Sequence, residues 1–149
     1  MKIAASSTRR SFVALLLALA PWAGHALAAD PVYVVVGAQS PIRSVSQKDV
    51  LALYTGRSRT LADGSVAIPL DQQRDGAVRA AFYQALTGMD IARIDSYWAR
   101  LHFTGQVQPP QALGDDASTI RRLRADPAAI GYLAQEPSDP SLRVVLRLP

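Results

Sequence analysis

The run 32-VYVVV-36 is the feature that most constrains the fold of this 149-residue chain. Five β-branched or aromatic residues stand between Pro31 and Gly37, with no polar residue among them. A strand with one solvated face alternates polar and apolar residues, whereas a continuous apolar run is typical of a strand buried on both faces. Such a strand needs helices on both sides of its sheet. The run therefore predicts a layered α/β structure with a mixed, mostly parallel sheet flanked by helices.

Extended and helical patterns alternate along the rest of the chain. Ser46 and Asp49 form a variant capping box that begins a helix ending at Gly56, and 66-VAIPL-70 predicts the next strand. Apolar residues at helical spacing then predict two consecutive helices, the first interrupted at Gly88 and the second capped by Asp90. The remaining predictions are a long loop at 102–116, a short helix at 117–124 capped by Asp116, and strands at 130–133 and 142–148.

The first 28 residues have the pattern of a secretory signal peptide. Lys2, Arg9 and Arg10 precede the apolar run 12-FVALLLALAPWAG-24, and small residues lead up to Ala28. A membrane-spanning anchor is the alternative, but the run falls short of the about 20 apolar residues that a spanning helix needs. We expect cleavage after Ala28, one domain over 29–149 and a periplasmic location. The paired arginines resemble a twin-arginine signal and the leucine-rich run suits the general secretory route, so the export route stays open.

Composition excludes several classes of protein. The chain has no cysteine, which removes a lipoprotein anchor and any disulfide. Removal of the signal leaves thirteen basic residues against twelve acidic ones, so the formal charge falls from +4 to about +1. The basic run Arg121, Arg122 and Arg124 is flanked by aspartates, which is typical of a solvated helix face. Nucleic acid is therefore not a predicted partner.

The residues of the predicted domain do not favour catalysis, a metal or a cofactor. His102 is the single histidine after residue 28, and its position predicts a helix end or a loop. A cysteine–histidine pair is impossible, and a histidine-based metal cluster is not indicated. Asp115 and Asp116 are adjacent and suit helix capping better than acid–base work. No glycine-rich phosphate-binding motif of a nucleotide enzyme occurs, so we predict a non-catalytic protein without a cofactor.

The candidate site is the stretch 71-DQQRDGAVRAAFYQALTG-88. A predicted strand, a short loop and a helix follow one another here, which brings unpaired backbone N–H groups to the start of the helix. The candidate donors are the N–H groups of Gly76, Ala77, Val78 and Arg79, with Arg74 and Arg79 supplying positive charge. In the alternative interpretation, Asp75 accepts from the same N–H groups as an ordinary N-cap and fills the site. The sequence leaves both open.

Four segments resemble the substrate-binding proteins of phosphate ABC transporters, and in particular short, single-lobe periplasmic relatives. They are 45-VSQKDVLALYTGRSRTLADGSVAIPLDQ-72, 81-AFYQALTGMD-90, 97-YWARLHFTGQVQPP-110 and 127-PAAIGYL-133. Their order is the same as in that family, and together they cover most of the chain after the signal. The resemblance implies one lobe of a type II periplasmic binding-protein fold that holds an anion at helix N-termini.

The resemblance also implies which residues form the site. In full-length members the loop reads Arg-x-x-x-Ser-Gly-Thr; here Gln72 stands at the arginine, and Gly76, Ala77 and Val78 stand at Ser-Gly-Thr. The family's side-chain donors are thus replaced, and backbone N–H groups remain.

We therefore expect binding of phosphate or another small oxyanion, with Gln72, Arg74, Asp75 and the loop residues Gln39 and Ser40 as wall groups. Partners implied by the resemblance are a membrane transporter or a sensor, and a homodimer would complete a two-sided cleft. The alternative function is a periplasmic interaction module that keeps the lobe as a scaffold with a degenerate anion site.

Overall fold

Strand β1, Val32–Gly37, lies inside the sheet and is covered on both faces, as its apolar run predicts. It is seen in a computed structural model that describes residues 30–105 and 107–149. The signal-peptide prediction falls on residues 1–28, outside the described residues. No helix in the described part is long and apolar enough to cross a membrane.

Four helices and five strands alternate along the described residues. In chain order they are β1 Val32–Gly37, α1 Gln47–Tyr54, β2 Ile68–Asp71, α2 Ala77–Thr87, α3 Ile91–Phe103, β3 Gln111–Ala112, α4 Asp116–Ala125, β4 Ala129–Leu133 and β5 Leu142–Leu148.

The five strands form one mixed sheet in the order β3-β2-β4-β1-β5. Strand β2 pairs in parallel with β3 and with β4, whereas β1 pairs antiparallel with β4 and with β5. Four strands therefore run in one direction and β1 runs against them, which confirms a mixed sheet. The prediction that it is mostly parallel is not confirmed, because two of the four strand pairings are antiparallel. We call the edge at which β2, β3 and β4 end, and at which β1 begins, the carboxyl edge.

The core has two parts, one on each face of the sheet. Val32, Val34 and Val36 of β1 point to the face covered by α1, α2 and α3, and Val35 points to the face covered by α4. Apolar side chains of a strand alternate between faces, so one valine-rich strand serves both cores. The layered α/β prediction is confirmed, with three helices on one side and one on the other.

Two of the four helix starts in the described residues have the predicted caps. The Ser46–Asp49 capping box is present, and the Asp90 side chain accepts from the Arg93 N–H. Helix α4 corrects one prediction, because its cap is Asp115 rather than Asp116: Asp115 Oδ1 accepts from the Ser118 N–H at 2.8 Å. The preceding aspartate has extended backbone, which is the conformation that a capping residue needs.

One loop prediction and one strand prediction are also corrected. The predicted loop at 102–116 begins inside α3 and contains the edge strand β3, whose two residues are too few to produce a sequence pattern. Strand β2 begins at Ile68, not at Val66, because Val66 instead pairs with Thr60 across a tight turn.

Candidate functional site

The start of helix α2 lacks a side-chain cap. Its N-cap is Gly76, in extended conformation with φ −76° and ψ 134°. Asp75 is exposed and accepts none of the helix's N–H groups, so the interpretation in which Asp75 caps α2 is wrong. The reason is a turn before the helix, in which the Gly76 N–H donates to the Gln73 carbonyl at 2.9 Å. Because of this turn the N-cap position falls on Gly76, and Asp75 lies one residue before it. The N–H groups at 77–79 have no acceptor among the described residues.

Gln72 is buried and its amide is already used. Its Nε2 donates to Asp116 Oδ1 at 2.6 Å and to the Tyr132 carbonyl at 2.8 Å. Its backbone N–H lies 3.2 Å from the Tyr132 hydroxyl. These bonds tie the end of β2 to the start of α4 and to β4. The side chain that stands at the family's arginine is thus a structural link at the carboxyl edge.

Arg79 is buried as well, with 5% of its side chain exposed. Its Nε donates to Asp71 Oδ2 at 3.0 Å, its Nη2 donates to Asp95 Oδ1 at 2.9 Å, and its Nη1 donates to the Arg74 carbonyl at 3.3 Å. Burial by itself would lower the pKa of Arg79, but the hydrogen bonds and charges of Asp71 and Asp95 raise it above its ordinary value. The guanidinium is a permanent cation that is committed to two carboxylates. Its charge is not free for a ligand.

Asp71 is the centre of a buried polar network that the sequence reasoning missed. The hydroxyl of Tyr132 donates to Asp71 Oδ1 at 2.5 Å, and the hydroxyl of Tyr83 donates to Oδ2 at 3.1 Å. Burial, together with the Asp71 charge, raises the pKa of both tyrosines well above the ordinary value. The sequence signal that could have revealed this network is an aspartate directly after a predicted apolar strand. A carboxylate buried at that point needs several hydrogen-bond donors.

Arg74 differs from Arg79 because its side chain is exposed and makes no ion pair within the described part of the chain. Together with Asp71, Arg79 and Asp95 it lines a cavity of about 550 Å³ between α3 and the segment that leads into β3. Arg74 is therefore the basic side chain of the 72–79 stretch that remains free to contact a ligand.

Gln39 and Ser40 lie at the other end of the sheet, which corrects their assignment to this site. They follow the end of β1, and β1 runs against β2 and β4, so its end is opposite the carboxyl edge. Ser40 is buried and its Oγ accepts from the Ile42 N–H, while Arg143 donates to the Ser40 carbonyl. The structure does not bring Gln39 and Ser40 to the residues at 72–79. The sequence placed them together only because strand direction was unknown.

A second helix start lies at the carboxyl edge but is already filled. Helix α4 is capped by Asp115, whose pKa is lowered by its hydrogen bonds to Ser118, and Asp116 in its first turn accepts from Gln72. Carboxylates here satisfy the helix terminus and leave no place for an anion. Among residues 30–105 and 107–149, no group of histidine, aspartate and glutamate side chains is arranged to hold a metal ion.

Comparison with known proteins gives a relationship at the level of the fold. No protein-family model and no curated protein matches the sequence. Solved structures do match, among them a protein from Clostridium perfringens assigned as a phosphate ABC transporter substrate-binding protein, with bound phosphate, and an ABC-type phosphate transport receptor from Vibrio cholerae.

Both structures superpose with a TM-score of 0.59, at 13% and 12% sequence identity. The match covers 78% of this chain and 44% or 45% of theirs, so the chain spans less than half the length of these neighbours. The chain therefore shares the fold of these two structures over part of their length.

Proposed function

We propose that this chain is a non-catalytic binding protein that holds phosphate or a related small oxyanion at the amino terminus of α2. The observation that carries the proposal is the uncapped helix start, in which Gly76 offers no side chain and three successive N–H groups have no acceptor among the described residues. The positive end of a helix and its free N–H groups bind anions. Arg74, exposed beside this loop, supplies a cation.

The fold of the two neighbours supports this proposal, since one of them was solved with bound phosphate. The donors in this chain are mainly backbone groups, because Gln72 and Arg79 are held by internal partners. Asp75 is the exposed carboxylate beside the site. It contributes repulsion to an anion, so we expect weak binding.

Removal of one N–H group from the helix start tests the proposal directly. Proline is tolerated at the first position of a helix, so Ala77→Pro deletes a donor and leaves α2 formed. Phosphate at about ten times its dissociation constant stabilises a binding protein by about 1.4 kcal/mol, which raises the melting temperature by a few degrees. We expect this rise in the parent protein and in Ala77→Ser, and its loss in Ala77→Pro.

Sodium chloride at matched ionic strength is the control for general salt effects, because phosphate also stabilises proteins by exclusion from their surface. A rise that is equal in Ala77→Ser and Ala77→Pro would show that the helix start is not the site. No rise with phosphate or sulfate beyond that of sodium chloride, at concentrations well above the expected dissociation constant, would rule out the proposed function.

A second candidate function is an interaction module that uses the lobe as a scaffold. The internal hydrogen bonds and ion pairs of Gln72 and Arg79 favour this function, because two side chains expected to bind an anion stabilise the fold instead. Its partner would be a transporter or a sensor at the membrane. In-cell crosslinking that recovers one such protein, with no response to oxyanions in the purified chain, would support this function over the first.

Export to the periplasm belongs to both proposals and rests on the pattern of residues 1–28. Sequencing of the amino terminus of the protein recovered from the periplasmic fraction is the test. A mature chain beginning at Ala29 is the expected result, and an intact leader in the cytoplasm would contradict it.

A further inference from the structure

The cavity beside the α2 start is far larger than an inorganic oxyanion. It measures about 550 Å³, within the range of about 300–1,000 Å³ that is usual for organic ligands. An ion of five non-hydrogen atoms fills the volume of no more than a few water molecules, and each water molecule takes about 30 Å³ in the liquid. Phosphate bound at the edge of this cavity would leave most of it unfilled.

The wall of the cavity away from the loop is mostly apolar. Beside the polar residues His102 and Gln111, it combines two aromatic side chains with two prolines and two alanines: Trp98, Ala99, Phe103, Pro109, Pro110 and Ala112. Phe103, the last residue of α3, is 94% exposed, which is the largest exposure among the described large apolar side chains. Trp98 is only 6% exposed, so a ligand that contacts this wall would remove apolar surface from water mainly at Phe103, which is favourable.

The loop side of the cavity carries charge, and most of that charge is internally paired. Arg79 lies between Asp71 and Asp95 and bonds to both. Arg74 is the remaining charged lining residue, exposed and without an ion pair in the part of the chain that the structure describes. Arg74 lies two residues before the Gly76 N-cap and also lines the cavity, so we expect its side chain to lie between the α2 start and the apolar wall.

We infer that the ligand is an organic oxyanion, namely a phosphate or sulfate monoester of a compact aromatic or alkyl group. Its charged head lies at the α2 start with Arg74, and its apolar group lies against Trp98, Phe103 and the two prolines. The inference rests on the proposed function, because the head uses the same N–H groups. It goes further because it names a class of ligand. The volume of the cavity and its apolar wall suit an organic ester better than an inorganic ion.

Calorimetric titration of the purified protein with phenyl phosphate, inorganic phosphate and phenol tests the inference. Burial of a phenyl ring contributes enough free energy to tighten binding about tenfold or more. We therefore expect phenyl phosphate to bind at least tenfold more tightly than phosphate, and phenol to bind more weakly than phenyl phosphate. Equal affinities for phosphate and phenyl phosphate would overturn the inference, as would equal affinities for phenol and phenyl phosphate.

Phe103→Ala is the informative variant, because an exposed side chain can be removed without disturbing the core. It should abolish most of the preference for phenyl phosphate over phosphate. Val66→Ala is the matched control, since Val66 is 60% exposed and does not line this cavity. A preference that survives Phe103→Ala would also overturn the inference.

The two proposals fail in different ways. If phosphate and phenyl phosphate bind equally and Ala77→Pro weakens both, the oxyanion site stands and the organic ligand class is wrong. If neither ligand binds, or if Ala77→Pro weakens neither, the oxyanion site itself is wrong.

Discussion

Two arginines only five residues apart have opposite roles at the scale of the residue. Arg79 is buried between Asp71 and Asp95, and Arg74 is exposed at the mouth of the cavity. A buried carboxylate that loses its cation is strongly destabilising, whereas an exposed unpaired charge contributes little. Stability and binding should therefore separate cleanly between these two residues.

Arg79→Ala should lower the free energy of unfolding by about 3 kcal/mol, because it leaves Asp71 buried with hydroxyl and amide donors alone. Arg74→Ala should change that free energy by less than about 0.5 kcal/mol and should weaken phosphate binding. Urea denaturation and phosphate titration of both variants measure the two effects. A stable Arg79→Ala variant that fails to bind phosphate would instead place Arg79 in the site.

Asp139 gives a prediction for acid conditions. Its side chain accepts from the Ser141 hydroxyl at 2.6 Å and from the Ser141 N–H at 2.8 Å, and it pairs with Arg124. These hydrogen bonds and the arginine lower the pKa of Asp139 to about 2. A carboxyl group whose pKa is lower in the folded state stabilises the fold above its unfolded pKa, and that contribution is lost as pH falls through the folded value.

We therefore expect the parent protein to lose stability between about pH 4 and pH 2, and Asp139→Asn to lose less over that window. Denaturation curves at several pH values from 7 to 2 provide the measurement. Asp30→Asn is the control, because Asp30 is exposed and lies outside the strands. Identical acid profiles for the parent and Asp139→Asn would contradict the assigned role.

At the scale of the element, the packing of α4 on the sheet depends on glycine. A Cβ atom at Gly37 would lie 2.3 Å from the Leu123 carbonyl oxygen, and one at Gly131 would lie 2.8 Å from Thr119 Cγ2. Both contacts are shorter than real Cβ atoms show, and the first is with backbone that cannot rotate away. Because Gly37 in β1 and Gly131 in β4 have no side chains, α4 can pack closely against these two neighbouring strands.

Gly37→Ala should destabilise the protein by about 1–3 kcal/mol, because overpacking forces α4 away from β1. Gly114→Ala is the matched control, since its Cβ would meet only Ser118 Oγ at an ordinary 3.7 Å. The free energies of unfolding of the two variants should differ by more than 1 kcal/mol. Equal stability would mean that α4 does not pack on β1 as described.

At the scale of the whole molecule, we expect the proposed oxyanion site to be one-sided. Its proposed donors, the N–H groups at 77–79 and the Arg74 side chain, belong to one loop and one helix start, and an anion held from one side keeps contact with water. We expect the dissociation constant for phosphate to be larger than about 0.1 mM, a value that corresponds to a binding free energy of about −5.5 kcal/mol. Calorimetry at two protein concentrations measures it.

Affinity that rises with protein concentration, together with a dimer in sedimentation, would show that a second copy completes the cleft. Tight binding by a monomer would contradict the one-sided site. The measurement distinguishes these two outcomes, because the affinity of a monomer for phosphate does not depend on protein concentration.

The sequence by itself determined the elements and the layers of this protein. The continuous run 32-VYVVV-36 required a strand buried on both faces, and the capping residues Ser46 and Asp90 marked two helix starts. These features are local, because strand burial and helix capping depend on residues within a few positions of each other. The strand–loop–helix at 71–88 was predictable for the same reason.

Only the tertiary structure decided which residues of that stretch are free to bind. The donors around Asp71 come from β4 and α2, at positions 132, 83 and 79, and the partner of Gln72 comes from α4. Strand direction separated Gln39 and Ser40 from the loop at 72–76, and backbone geometry made Gly76 the N-cap instead of Asp75. Partners distant in sequence are set by strand order and register, and local pattern carries no information about them.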